Sequence, residues 1–254
     1  MRLLIICLWL PFIGLSQEVV RYTPEGHSHN DYAGPRPFHA AYEQGFGSIE
    51  ADIWLVNDTL WVGHTLFDLK DKRTLESLYL GPLGDAVNKN KGNPYPESRR
   101  SLQMMIDVKT AALPTLQKLV SDLEKHPELT KNRKINWVIS GNRPPDSLFS
   151  KYPPFIGFDG DLLRTYTADA LERIPMMSAD LARITTWKGQ GSPEDSSILK
   201  LNSLINQAHR LHKTTRFWNA PDNEASWSIL IGLGADLINT DHIEELAIFR
   251  ARKK

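Results

Sequence analysis

Eight short apolar runs, separated by helix-patterned or polar stretches, constrain this chain more than any other feature. The runs are 20–22 extending toward His27, 48–55 (SIEADIWL), 103–109 (QMMIDVK), 135–140 (INWVIS), 154–159 (PFIGFD), 174–179 (IPMMSA), 214–220 (TTRFWNA) and 235–240 (ADLINT). A further run, 60–64 (LWVGH), follows a turn at VNDT and is expected to pair back on 48–55. Between them, Leu113, Leu116, Leu119, Val120 and Leu123 recur at helical spacing, and 196–213 repeats the pattern. The segment 222–234 opens on a capping Asp/Asn and closes on Gly234. The last segment, 241–254, carries basic residues at its C-terminal end, where the helix dipole favours them. Alternating strands and helices argue for a parallel sheet with helices outside. Eight such units predict a single-domain α/β protein, a (β/α)8 TIM barrel, with its shortest helices in the first and the fifth to sixth units. A doubly wound open sheet is the alternative, but no G-x-G-x-x-G follows the first strand. The polar stretch 88–100 is expected to be a long surface loop.

Composition narrows the partners. Lys+Arg and Asp+Glu are both 30 in 254 residues, so no nucleic-acid partner is expected. The N-terminus, MRLLIICLWLPFIGLSQ, has one Arg, an apolar run and then small residues. It predicts a signal peptide over 1–16, a mature domain over 17–254, and a secreted or periplasmic location. The run is shorter than the ~20 residues a membrane span requires, so no transmembrane span is expected in the mature chain. Cys7 is the only cysteine. Cleavage would leave a chain in which any metal must be held by oxygen or imidazole. A monomer is the expected state.

The chemistry concentrates at strand ends. Glu50 and Asp52 are two apart on one strand and share a face, while Ile49, Ala51 and Ile53 take the other. Two carboxylates on a buried face repel and lose hydration, and a hard divalent cation offsets both costs. A solvent-facing strand would tolerate the pair without any ion. Asp107 and Lys109 again share a face at the end of an apolar strand, where barrel active sites form. A simple ion pair across the mouth is the other reading. His64 ends the return strand beside Glu50 and Asp52, and the polar loop GHSHNDY (26–32) supplies His27, His29, Asn30 and Asp31. Arg143 follows a strand in SGNRP, placed to grip a phosphate or simply to lie on the surface. Trp218 ends another strand, placed to stack on a ring or to pack in the core.

Taken together, HSHNDY, PFHAAYEQGFGSIEADIWLVNDTLWVGH, MMIDVK, VISGNRP, RFWNAPDN and GADLINTDHIEEL resemble the glycerophosphodiester phosphodiesterase and phosphatidylinositol-specific phospholipase C-like superfamily. The HNDY version is similar to a secreted bacterial branch and a fungal branch. The resemblance implies a TIM-barrel phosphodiesterase that uses a divalent cation, Mg²⁺ or Ca²⁺. It implies Glu50, Asp52 and Asp107 as metal ligands, and His29 and His64 as the catalytic histidines. Lys109 matches a lysine beside the substrate phosphate, and His27, Asn30, Arg143 and Trp218 are carried as substrate-binding candidates. The implied substrate is a small-molecule or lipid-derived phosphodiester.

The chain also departs from the pattern. Asn30 stands where relatives place Arg after the first catalytic His, PRPF replaces a Pro-Glu-Asn-Thr motif, and Asp107 stands where many members have Glu. The metal set and both histidines are retained while part of the phosphate and glycerol grip is not. A hydrolase is the leading expectation. The alternatives are a lyase forming a cyclic phosphate on the same barrel, and a non-catalytic barrel that binds a phosphorylated or sugar ligand.

Overall fold

The computed structural model describes residues 22–71 and 73–253. The expected signal segment and its cleavage point at Ser16-Gln17 lie outside the described residues. Eight parallel strands close into a barrel: β1 (Thr23–Ser28), β2 (Phe46–Val56), β4 (Leu102–Val108), β5 (Ile135–Gly141), β6 (Ile156–Asp161), β7 (Met176–Asp180), β8 (Thr214–Trp218) and β9 (Leu237–Thr240). Closure is made where β1 pairs with both β2 and β9. β3 (Thr59–Val62) pairs antiparallel with the far end of β2, from Val56↔Thr59 to Ile53↔Val62. Asn57 and Asp58, at φ 50 and 57, form the tight turn that a two-residue hairpin of this twist requires.

Strand alternation sorts side chains into two cores. Ile49, Ala51, Ile53, Met104, Ile106, Trp137, Ile139 and Phe217 face outward and join the main core beneath the helices. Met105, Val138, Met176 and Leu237 form a separate cluster on the opposite strand face, which fills the floor of the barrel interior. Further along the same inward face the residues turn polar: Glu50, Asp52, Ser140, Asp159, Ser178 and Arg216 are all buried. The barrel is therefore plugged at its base by apolar side chains and charged toward its C-terminal mouth.

The outer helices follow the expected pattern at Ala112–Leu123, Asp195–Arg210, Glu224–Leu233 and Ile243–Arg252. The first unit has only the short helix His39–Glu43 and the fifth only the short helix Ala168–Leu171, as expected, but the sixth carries the 16-residue helix Asp195–Arg210, and it is the fourth that has only a 3-10 turn (Asp146–Lys151). Two further local expectations fail. A helical stretch, Glu76–Leu80 continuing into Gly81–Lys89, was not anticipated, because Gly81, Pro82 and Gly84 break its pattern. Pro82 stands in the first turn of Gly81–Lys89, at its join with the wider turn of Glu76–Leu80. The stretch 88–100 is also more than a surface loop. Tyr95 within it is fully buried, stacks on Tyr42 at 4.8 Å and donates its hydroxyl to the Phe46 carbonyl. That aromatic anchor ties the loop to the edge of β2.

Candidate active site

A cavity of about 410 Å³ opens at the C-terminal mouth. His29, Glu50, His64, Asp107, Lys109, Arg143 and Trp218 all line it, drawn from the ends of β1, β2, β3, β4, β5 and β8. Three of the expected residues do not. Asp52 lies just beneath the wall, Asn30 lines an adjoining cleft with His64 and Asp241, and His27 is wholly buried.

The acidic cluster forms because β2 and β4 run parallel in a register that sets Asp52 beside Asp107. Ligand oxygens of Glu50, Asp52 and Asp107 lie within 4.8 Å of one another. Lys109 Nζ sits 2.9 Å from Asp52 Oδ2 and 3.4 Å from Asp107 Oδ2. The Tyr32 hydroxyl is 2.7 Å from the same Asp52 oxygen and 2.6 Å from Asn30 Oδ1. Asp52 Oδ1, also buried, has no hydrogen-bond partner among the described residues. Burial and the neighbouring Glu50 charge raise Asp107 to a pKa of about 6, even with Lys109 beside it. Lys109 thus serves Asp52 and Asp107 together, Glu50 faces Arg216, and the buried Asp52 Oδ1 is left as a free acceptor within the cluster. The carboxylates are hard oxygen donors of the kind Mg²⁺ and Ca²⁺ take, so the residues fit such an ion. Gly141, at φ 66, makes the crowding possible: a Cβ there would lie 2.1 Å from Asp107 Oδ1.

His27 and His29, two residues apart, meet opposite environments. His27 Nδ1 is 2.7 Å from Ser48 Oγ, and its Nε2 is 2.6 Å from Glu50 Oε2. Burial, helped by the Arg216 charge, lowers its pKa to about 4. With no exposed surface it cannot touch substrate, which corrects the expectation that it binds one. Its contacts orient Glu50 instead. His29 lies at the rim with Nδ1 2.7 Å from Asp241 Oδ1. Partial burial lowers its pKa, but the Asp241 carboxylate outweighs that and leaves it raised. Asn30, in the left-handed region at φ 53, reaches toward Asp241 at 3.3 Å rather than into the cavity. His64 Nδ1 is 3.2 Å from Asp52 Oδ2, and its side chain is largely exposed.

Sequence reasoning missed Arg216. Its guanidinium lies inside the barrel, 2.7 Å from Glu50 Oε2 and 3.7 Å from Asp159 Oδ2. Burial alone would raise the Glu50 pKa, but Arg216 and His27 hold it well below the usual carboxylate range. The available signal was a charged residue two before Trp218 on an apolar strand, hence on the same inward face. Asp159, Asp161, Asp180 and Arg183, which line the opposite side of the cavity, were also missed.

Comparison with known proteins places the chain. Residues 15–142 match the AIM6-like phosphodiesterase domain, and residues 214–244 match the glycerophosphoryl diester phosphodiesterase family. Altered inheritance of mitochondria protein 6 of Eremothecium gossypii is 27% identical, over 88% of this chain and 68% of that protein. The protein of the same name from Saccharomyces cerevisiae is 28% identical, over 85% of this chain and 68% of its own length. A glycerophosphodiester phosphodiesterase from Parabacteroides distasonis shares the fold, with a TM-score of 0.56 at 17% identity, covering 92% of this chain and 95% of the other. The relatives correct one expectation: they are yeast proteins named for mitochondrial inheritance, not known secreted proteins, which overturns the secreted or periplasmic location. Among the described residues no helix is long and apolar enough to cross a membrane. The chain belongs to the AIM6-like phosphodiesterase domain family, within the glycerophosphodiester phosphodiesterase and phospholipase C-like superfamily.

Proposed function

We propose that this chain is a divalent-cation-dependent phosphodiesterase acting on a small-molecule or lipid-derived phosphodiester, with His29 and His64 as its proton-transfer groups. The observation that carries the reading is the meeting of both histidines, Glu50, Asp107 and Lys109 in one cavity, with Asp52 directly beneath. Glu50, Asp52 and Asp107 would hold the ion. Glu50 Oε2 is already committed to His27 and Arg216, which leaves Oε1 for that task. When bound, the cation supplies charge neutralisation for the phosphoryl oxygens.

The chain's own residues supply the rest. Lys109 carries a positive charge into the cavity: its burial disfavours that charge, but Asp107 and Asp52 outweigh it and raise its pKa. It is placed to share the developing charge on the phosphoryl group. Arg143, just past the end of the neighbouring strand β5, also lines the cavity and adds a second cationic grip. His29, braced by Asp241 through Nδ1, presents Nε2 as the general acid that protonates the leaving oxygen. His64, past the end of β3 and beside Asp52, takes the proton from the attacking hydroxyl.

The test is hydrolysis of bis(p-nitrophenyl) phosphate. EDTA is expected to abolish it, and added Mg²⁺ or Ca²⁺ to restore it. His29→Ala is expected to lower kcat by about 10²–10⁴-fold, the usual worth of a general acid. Turnover indifferent to both EDTA and His29→Ala contradicts the proposal.

A further inference from the structure

Tyr32 makes two contacts that cannot both be hydrogen bonds. Its hydroxyl is 2.7 Å from Asp52 Oδ2 and 2.6 Å from Asn30 Oδ1. Both are acceptors, and a phenol carries one hydrogen. Burial, with the Asp52 charge beside it, raises the pKa of this hydroxyl, so the hydrogen stays on its oxygen. The Asn30 amide cannot turn over to supply a second one. Its Nδ2 faces the Asp241 carboxylate, 3.4 Å from Oδ1 and 3.3 Å from Oδ2, where a carbonyl would be repelled. The same Asp241 Oδ1 accepts from His29 Nδ1 at 2.7 Å. A continuous path therefore runs from Asp52, in the acidic cluster, through Tyr32, Asn30 and Asp241 to His29. The Tyr32 hydrogen is an element of that path with two positions.

We infer that Tyr32 is a positioning residue whose hydroxyl turns from Asp52 to Asn30 when the acidic cluster takes up its cation, so that filling the cation site braces His29. The inference rests on the cation reading above. With the cluster empty, the carboxylate is the stronger acceptor and holds the hydrogen. Lys109 Nζ at 2.9 Å and His64 Nδ1 at 3.2 Å converge on the same Asp52 oxygen. A cation shared by the carboxylates draws electron density from Asp52 and weakens it as an acceptor. Asn30 Oδ1 stands outside the cluster, keeps its strength and takes the hydrogen. That bond fixes the amide plane and keeps Nδ2 on Asp241, which holds the carboxylate against His29 Nδ1. Coupling between two sites needs an element with two arrangements that both sites bias, and this hydroxyl is one. Reciprocity then requires that a change at Asn30 alter cation affinity, although Asn30 is not one of the three carboxylates.

Calorimetry of Mg²⁺ binding to the intact chain, run as a double-mutant cycle, tests this without requiring turnover. Tyr32→Phe removes only the hydroxyl. Asn30→Gly removes the amide at φ 53, a left-handed position that glycine accepts. Neither changes the net charge, so the long-range field at the cluster is kept. With Tyr32 present, Asn30→Gly deprives the filled state of its hydrogen bond and is expected to weaken Mg²⁺ binding about three- to tenfold, the worth of one such bond. In the Tyr32→Phe background the same change is expected to leave Mg²⁺ affinity unaltered. An equal effect of Asn30→Gly in both backgrounds, or none in either, overturns the relay. At the His29 end, Tyr32→Phe at saturating Mg²⁺ is expected to lower kcat for bis(p-nitrophenyl) phosphate with KM unchanged. This variant keeps the ring and decides the matter if Asn30→Gly fails to fold, because an unchanged kcat overturns the link to His29. No Mg²⁺ binding by the unaltered chain would instead overturn the cation reading, and the relay with it. A chain that shows the expected cycle yet hydrolyses no phosphodiester would keep the relay and lose the catalytic reading.

Discussion

The two sides of the barrel mouth use the same strand-end positions on opposite electrostatic terms. On the β1–β4 side, Glu50, Asp52 and Asp107 crowd together, Lys109 is shared by Asp52 and Asp107, and Asp52 Oδ1 is left unpaired. On the β6–β8 side, Asp161 and Asp180 each have an Arg, Asn or backbone N–H partner, and Asp159 has two serine hydroxyls on Oδ2 and Arg216 nearby, with its Oδ1 unpaired. The first side is short of positive charge and fits an ion. The second is nearly balanced. The difference also runs along the chain. The two family matches cover 15–142 and 214–244, whereas Asp159, Asp161, Asp180 and Arg183 lie between them. The acidic cluster and both rim histidines lie in the matched segments, and Asp159, Asp161, Asp180 and Arg183 do not.

Arg216 joins the two sides, so its removal is expected to have the largest effect on stability. Arg216→Met leaves Glu50 and Asp159 buried without their counter-charge. Breaking a buried pair from one end costs about 3–5 kcal/mol, measurable by urea unfolding. A loss under about 1 kcal/mol would mean that the two sides are not coupled through this guanidinium.

The buried histidine gives the next effect, and its sign is fixed. His27 takes up a proton near pH 6.5 when unfolded but only near pH 4 when folded. Its contribution is therefore full above pH 6.5 and is lost as pH falls through that window, by about 3 kcal/mol in total. His27→Gln is expected to flatten the pH dependence of unfolding between 6.5 and 4 by that amount. An unchanged slope would mean that His27 is free to protonate in the folded state.

The smallest effect concerns Lys109. Without divalent cation, Lys109→Met is expected to cost about 1.5–3 kcal/mol, the worth of a hydrogen bond to a charged group. With Mg²⁺ present the cost should shrink, because the ion supplies charge to the same carboxylates. A cost independent of Mg²⁺ would separate Lys109 from the acidic cluster.

Much of this was readable before folding. Period-two alternation put Glu50 with Asp52, and Asp107 with Lys109, on inward faces, and strand–helix alternation gave the barrel. What was hidden depended on closure or on distant partners. His29 meets Asp241 across 212 positions, only because β1 pairs with β9. Arg216 is one charge in a five-residue strand, and nothing local says that Glu50 waits across the barrel. Tyr95 sits in a polar stretch whose composition suggests solvent, yet one aromatic suffices to bury its centre. The choice between His27 and His29 needed burial, which two adjacent inward and rim positions do not declare in sequence.

The central claim is that Glu50, Asp52 and Asp107 hold one cation. Soaking crystals of the chain in Mn²⁺ and recording its anomalous signal tests it most directly. The account predicts a single peak about 2.0–2.6 Å from oxygens of all three carboxylates, with Asp52 Oδ1 among them. No peak there, with Lys109 Nζ still seated between Asp52 and Asp107, would contradict it.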